Sequence, residues 1–401
     1  MKRSGLLALM FAAAIAGCGG GGSGDGSQSS NSPVEPANVL AIAVNSGLQN
    51  NYANGLFASV TLCAPGSSSN CQTIDNVLVD TGSYGLRILG SALTLSLPSQ
   101  ANGAGTTAEC TVFADGYTWG PVVTADVMLS GETASNLPVQ VIGAANFTAA
   151  PEGCSSGSGQ QEDTLAQLGS NGVLGIGLFR YDCGSDCAGF AGNQIYWSCT
   201  SSGCNSALEP LEGQVQNPVA LFAKDNNGIV VELPDIASGG QPTAAGTLIF
   251  GIGTETNNAL DSANVIAAGA NGDFTTLYGG TSFPNSFIDS GSNAYVFTDP
   301  GIAACTSDTG FFCPAETLDK SATIDSSLGA SVSVSFSVAN AQALFSANDG
   351  GDAAFDDLAG PAGSTLSGAF DWGMPFFYGR NVYYAIEGAS AGGVTGPYYA
   401  F

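Results

Sequence analysis

The sequence predicts an all-β protein of two similar lobes with a central cleft and few short helices. Three observations predict it. The chain spells Asp80-Thr81-Gly82-Ser83 and Asp289-Ser290-Gly291-Ser292, 209 residues apart, each directly after a short apolar run. Apolar and β-branched runs of strand length recur between clusters of Gly, Asn, Ser and Pro. Finally, 57 glycines favour tight turns and close backbone contacts over helices.

The N-terminal segment is not part of either lobe. Lys2-Arg3 precede the stretch Gly5 to Gly17, too short to span a bilayer, which has the parts of a secretory signal. Ile15-Ala16-Gly17-Cys18 resembles a bacterial lipobox, which implies a lipoprotein acylated on Cys18 and anchored in a membrane. Gly19 after the cysteine favours the outer membrane by the same resemblance, on its periplasmic or surface face; an ordinary cleaved signal peptide is the alternative. The expected order is a signal over 1–18, a flexible Gly/Ser tether over 19–37, a first lobe over 38–256 and a second over 257–401.

Within the lobes, strands are expected at Val39–Val44, Leu56–Leu62, Val122–Leu129, Ile229–Leu233 and Thr247–Gly251. Ser331–Val338 alternates serine with Val or Phe, which exposes one face and buries the other. Short helices are expected at Thr164–Leu168 and after Pro218, where Asn217 caps and proline takes the first position.

Composition excludes several chemistries. There is no histidine, which removes Ser-His-Asp and Cys-His catalysis, histidine metal ligation and imidazole pH sensing. Beyond the leader the lysines are Lys224 and Lys320, and neither lies near a serine motif. Seven basic residues stand against 33 acidic ones, a net charge of −26 that repels phosphates and argues against nucleic-acid partners. Loss of Lys2 and Arg3 with the leader leaves −28.

Eleven cysteines become an even ten once Cys18 is set aside, which suits disulfides in an oxidising compartment. Cys63 with Cys71, and Cys305 with Cys313, are close enough to staple local loops. Cys110, Cys154, Cys183, Cys187, Cys199 and Cys204 complete the set, with pairing left open. No zinc spacing or calcium loop is present, so neither metal nor cofactor is expected.

The duplicated turn carries the chemistry. Glycine after the hydroxyl residue lets the backbone turn sharply, so that its N–H reaches the aspartate. Ser83 and Ser292 are placed to hydrogen-bond the neighbouring carboxylates. If Asp80 and Asp289 meet, the two share one proton and activate water at acid pH. Each half also has an apolar-Gly element further on: Val173-Leu174-Gly175, with Gly175 95 residues after Asp80, and Phe370-Asp371-Trp372-Gly373, with Gly373 84 residues after Asp289.

At these residues, over roughly 38–401, the chain resembles the pepsin-like aspartic proteases, and it also resembles an uncharacterised bacterial lipoprotein family with the same two motifs. Val77–Ser83 looks like the first catalytic turn and Phe287–Ser292 like the second. Val173-Leu174-Gly175 and Trp372-Gly373, with Val382-Tyr383-Tyr384 beyond, look like the supporting elements; Gly246–Gly251 resembles the strand that closes the first lobe. The resemblance implies a β-hairpin flap over the cleft, for which Cys110–Val127 is the candidate. Phe113-Ala114-Asp115-Gly116 stands where a tyrosine-led turn is usual, and Tyr117 or Trp119 could substitute from the tip. Two further departures are Arg87, where an aromatic is common, and Asp371, where an apolar residue is. No basic pro-segment lies between Cys18 and Asn38.

The expected function is a monomeric, lipid-anchored aspartic endopeptidase that hydrolyses extended peptides with Asp80 and Asp289. The alternative is a non-catalytic module on the same scaffold that binds a peptide, polysaccharide or partner protein at the cell envelope.

Overall fold

A computed structural model describes residues 36–155, 159–326, 331–363 and 366–401. Cys18, the signal and almost all of the tether lie outside the described residues. Pro36–Phe401 forms one compact unit.

Strands dominate, and they fall where the apolar runs predict. Val39–Asn45, Gly55–Cys63 and Gly228–Leu233 cover three of the expected segments, Gly116–Leu129 contains a fourth, and Ala244–Phe250 covers the fifth except Gly251. Val332–Val338 buries Val334, Phe336 and Val338 while Ser333 and Ser335 face solvent, as strict alternation dictates. The Pro218 segment is a 3-10 turn, Pro218–Leu221, whose Asn217 side chain accepts from Val219 N at 3.0 Å. Thr164 precedes a one-turn helix, Leu165–Leu168, closed by Gly169 in the left-handed region at φ 74°.

Both halves of the chain contribute to one sheet. Val39–Asn45 pairs antiparallel with Ala244–Phe250, which pairs with Gly228–Leu233. The latter pairs with Arg380–Ala385 from the C-terminal region, which continues to Tyr398–Ala400. This sheet ties the two halves together beneath the motifs.

Each motif is held by the same three-strand arrangement. Cys71–Asp80 runs into the first motif parallel to Gly172–Ile176, which is antiparallel to the outgoing Tyr84–Leu89. Thr281–Ile288 runs into the second motif parallel to Asp371–Trp372, which is antiparallel to Tyr295–Phe297. The apolar-Gly elements are therefore the middle strands, and their glycines make room for the turn. A Cβ on Gly175 would lie 2.5 Å from Tyr84 N and 2.8 Å from Ser83 Oγ; one on Gly373 would lie 2.7 Å from Ser292 O.

Cores on both sides keep these turns rigid. Val77, Val79, Leu86, Ile88, Leu174 and Ile176 are fully buried behind the first motif. Behind the second, Phe297, Phe336, Phe370 and Trp372 pack ring on ring, with Phe297 and Phe370 stacked at 4.7 Å. Such ring pairs contribute about 0.5–1.5 kcal/mol each beyond their buried area.

All ten cysteines among the described residues are paired: Cys63–Cys71, Cys110–Cys154, Cys183–Cys187, Cys199–Cys204 and Cys305–Cys313. Four close loops of eight residues or fewer. Cys110–Cys154 spans 44 and ties the tip half of the hairpin Gly105–Val112/Gly116–Leu129 to the segment around Cys154.

Candidate active site

The fold brings the two motifs face to face. Gly82 N donates to Asp80 Oδ1 at 2.8 Å, and Gly291 N donates to Asp289 Oδ1 at 2.7 Å. Ser83 Oγ donates to Asp80 Oδ2, and Ser292 Oγ lies 3.2 Å from Asp289 Oδ2. Each carboxylate is thus gripped from both sides by its own turn.

The middle residues lock the turns to each other. Ser290 N donates to Thr81 Oγ1 at 2.8 Å, and Thr81 N donates to Ser290 Oγ at 3.2 Å. Ser290 Oγ then donates to Val79 O at 2.7 Å. The reciprocal path is longer. Thr81 Oγ1 donates to Tyr384 OH at 3.0 Å, which donates to Ile288 O at 3.1 Å. Tyr384 is wholly buried, and its inserted hydroxyl makes the lock asymmetric.

The two aspartates interact directly. Burial first, then the negative charges of Asp80 and Asp371, and a side-chain hydrogen bond with Asp80 hold Asp289 well above the usual carboxylate range. Two buried acids this close share a proton rather than both ionising.

Asp371 is a third acid beneath the pair. Its Oδ2 lies 2.6 Å from Ser292 Oγ, and its Oδ1 is buried with no hydrogen-bond partner among the described residues. Burial, offset in part by Ser292 and reinforced by Asp80, pushes it up to about 8. A hydroxyl has one proton to give. When a protonated Asp371 donates to Ser292, Ser292 is free to donate to Asp289. Asp371, a carboxylate where the sequence resemblance expects an apolar residue, thus shares the Ser292 hydroxyl with Asp289.

Arg87 is committed elsewhere. Its guanidinium donates to Glu109 at 2.5 Å, Asp182 at 3.3 Å, Thr111 Oγ1 at 2.8 Å and Tyr84 O at 2.8 Å. Burial, then Glu109, keeps Asp182 well above the usual carboxylate range, and Tyr196 OH donates to it at 2.8 Å. This buried cluster joins the first motif to the flap strand rather than neutralising the dyad.

The segment expected to form a flap lies in the hairpin of Gly105–Val112 and Gly116–Leu129, whose turn is closed by Phe113 N donating to Gly116 O at 2.8 Å. Phe113 and Ala114 border the cavities on both sides of the aspartates, about 720 Å³ and 290 Å³ in volume. Tyr117 and Trp119 do not reach the cleft. Both pack into a separate core with Cys110, Cys154 and Trp197, where Trp119 meets Trp197 edge-on at 6.1 Å. They share one face of the strand, and that face is turned away from the dyad. The tyrosines flanking the aspartates are instead Tyr52 and Tyr84, each with a hydroxyl raised by burial and by the charges of Asp80 and Asp289. Tyr84 directly follows the first motif, but Tyr52 sits in a turn with no motif to mark it. Among the described residues, no group of three or more acidic, cysteine or histidine side chains could hold a metal ion.

A family model described as "Protein of unknown function (DUF3443)" matches residues 34–401. The chain belongs to this family. Among solved structures, the crystal structure of aspartic proteinase from Irpex lacteus is similar to this DUF3443 chain at 14% identity and a TM-score of 0.52, covering 90% of this chain and 96% of that one. That likeness shows a pepsin-like fold. Among curated proteins, no match is found.

Proposed function

We propose that the chain is an aspartic endopeptidase acting on extended peptides. The observation that carries this reading is the matched grip on Asp80 and Asp289, which hydrogen-bond each other at the floor of an open cleft. The pair supplies both roles that amide hydrolysis needs. The ionised member of the pair takes a proton from a bound water. The protonated member polarises the scissile carbonyl. The resulting tetrahedral diol then collapses as a proton passes to the leaving nitrogen, with no covalent acyl-enzyme.

The cavities on either side of the dyad, both roofed by Phe113 and Ala114, supply room for an extended chain running through. The leader, the Cys18 motif and five disulfides support attachment to the cell envelope through a lipid.

The deciding experiment incubates the domain with a denatured protein between about pH 3 and 7, with and without a statine-type transition-state inhibitor. Inhibitor-sensitive cleavage, lost in Asp80→Asn and in Asp289→Asn, is the expected result. A folded wild type that cuts nothing across the range would leave the scaffold as a binding module.

A further inference from the structure

On one side of the aspartates the cleft wall holds Arg87 together with Asp182 and Asp273, the guanidinium already paired with Asp182 and Glu109. On the other, the cavity of about 290 Å³ is bordered by Asp80, Asp115, Glu162, Asp289 and Asp371, with no Lys or Arg. Two of these acids belong to neither motif. Asp115 lies in the flap turn, and Glu162 follows the short strand Gln160–Gln161, which runs parallel to the flap strand at Gly116 and Tyr117.

Backbone pairing fixes Glu162 beside the flap tip. Its N–H donates to Tyr117 O at 2.8 Å, and a Cβ on Gly116 would lie 2.6 Å from Glu162 Oε1. Glu162 is only 7% exposed, and among the described residues no hydrogen bond or cation meets its carboxyl. Burial, then the Asp115 charge, pushes it up to about 7. A largely enclosed carboxylate without a partner is costly. Here it faces an open cavity, so a ligand can bring the missing partner.

The chemistry of that ligand follows from the walls. The acids do not converge on a metal-binding point. Between them stand Leu78, Leu168 and Val173. An ammonium or guanidinium on an aliphatic stem satisfies both features at once.

We propose that this half of the cleft is a subsite for a Lys or Arg side chain of the bound peptide, its cation paired with Glu162 and Asp115. The proposal rests on the reading of the cleft as a peptide site and deepens it by naming a residue class.

The test measures binding without turnover. Peptides carrying lysine or its uncharged analogue norleucine, scanned through each position, are titrated against the Asp289→Asn protein near pH 7.5. At one position lysine is expected to bind about 10-fold or more tighter than norleucine, the size of a charge-assisted contact. Adding Glu162→Gln should bring that ratio close to one, and Asp115→Asn should reduce it in part. Should Glu162→Gln fail to fold, the ratio is followed from about pH 5 to 8 in the Asp289→Asn protein, where it should rise as Glu162 ionises. The titratable groups facing Glu162 there are Asp80, Asp115, Asp371 and Tyr52.

Equal affinity for lysine and norleucine at every position, a preference that survives both substitutions, or no peptide binding at all overturns the subsite. A wild type that binds the lysine peptide but never cuts it overturns hydrolysis alone. One that cuts without regard to lysine overturns the subsite alone.

Discussion

Gly82 leaves open the space that the Asp289 carboxylate fills: a Cβ built on Gly82 would lie 2.6 Å from Asp289 Cγ. The converse holds across the pair, where a Cβ on Gly291 would lie 2.6 Å from Asp80 Oδ1. Each motif glycine thus serves its own aspartate through its N–H and the opposite aspartate through its missing side chain.

This relationship predicts that Gly82→Ala is disproportionately harmful to the site. Overpacking of this kind costs roughly 1–3 kcal/mol of stability. On the proposed function, cleavage should fall much further than that cost implies, because the methyl displaces the Asp289 carboxylate. Melting temperature and inhibitor affinity, measured together, check it. A variant that binds the inhibitor as tightly as wild type would contradict the geometry.

Asp371 predicts a pH dependence of stability. With its folded value raised to about 8, the folded protein keeps a proton that the unfolded chain releases from about pH 4 upward. Its stabilising contribution is full in acid and is lost as pH rises to about 8, at up to about 1.4 kcal/mol per pH unit. Asp371→Asn should flatten the decline in melting temperature between pH 4 and 8. Some slope should remain, because Asp289 is raised in the same sense. An unchanged slope would place the titration elsewhere.

Arg87→Met leaves Glu109 and Asp182 buried without their cation. Removing one partner from such a cluster costs about 3–5 kcal/mol. Chemical denaturation should show a loss of that order, and amide exchange should rise at Thr111 and around Asp182. A loss below about 1 kcal/mol would mean that water replaces the guanidinium.

The disulfides should differ in weight. Cys110–Cys154 encloses the longest loop, and chain entropy assigns such a bridge roughly 2–4 kcal/mol. Replacing both cysteines by alanine should lower stability more than removing Cys183–Cys187, whose separation is four residues. Matched denaturant melts of the two double variants give the comparison.

Much of this protein was legible in the chain because its signals are local. Period-two alternation in Ser331–Val338 and turn chemistry at the two Asp-Thr/Ser-Gly-Ser motifs depend on neighbouring residues, and so fix strands and hydrogen-bonding turns without reference to the rest. The absence of histidine likewise removed whole classes of chemistry from composition alone. What the fold decided was everything that depends on distant segments meeting. The hydroxyl of Tyr384 between Thr81 and Ile288, the burial of Trp119 away from the cleft, and the unpartnered Glu162 beside the flap all depend on side-chain direction and cross-strand register. The proton on Asp371 belongs to the same class, because desolvation and the field of Asp80 exist only once the halves have closed around it.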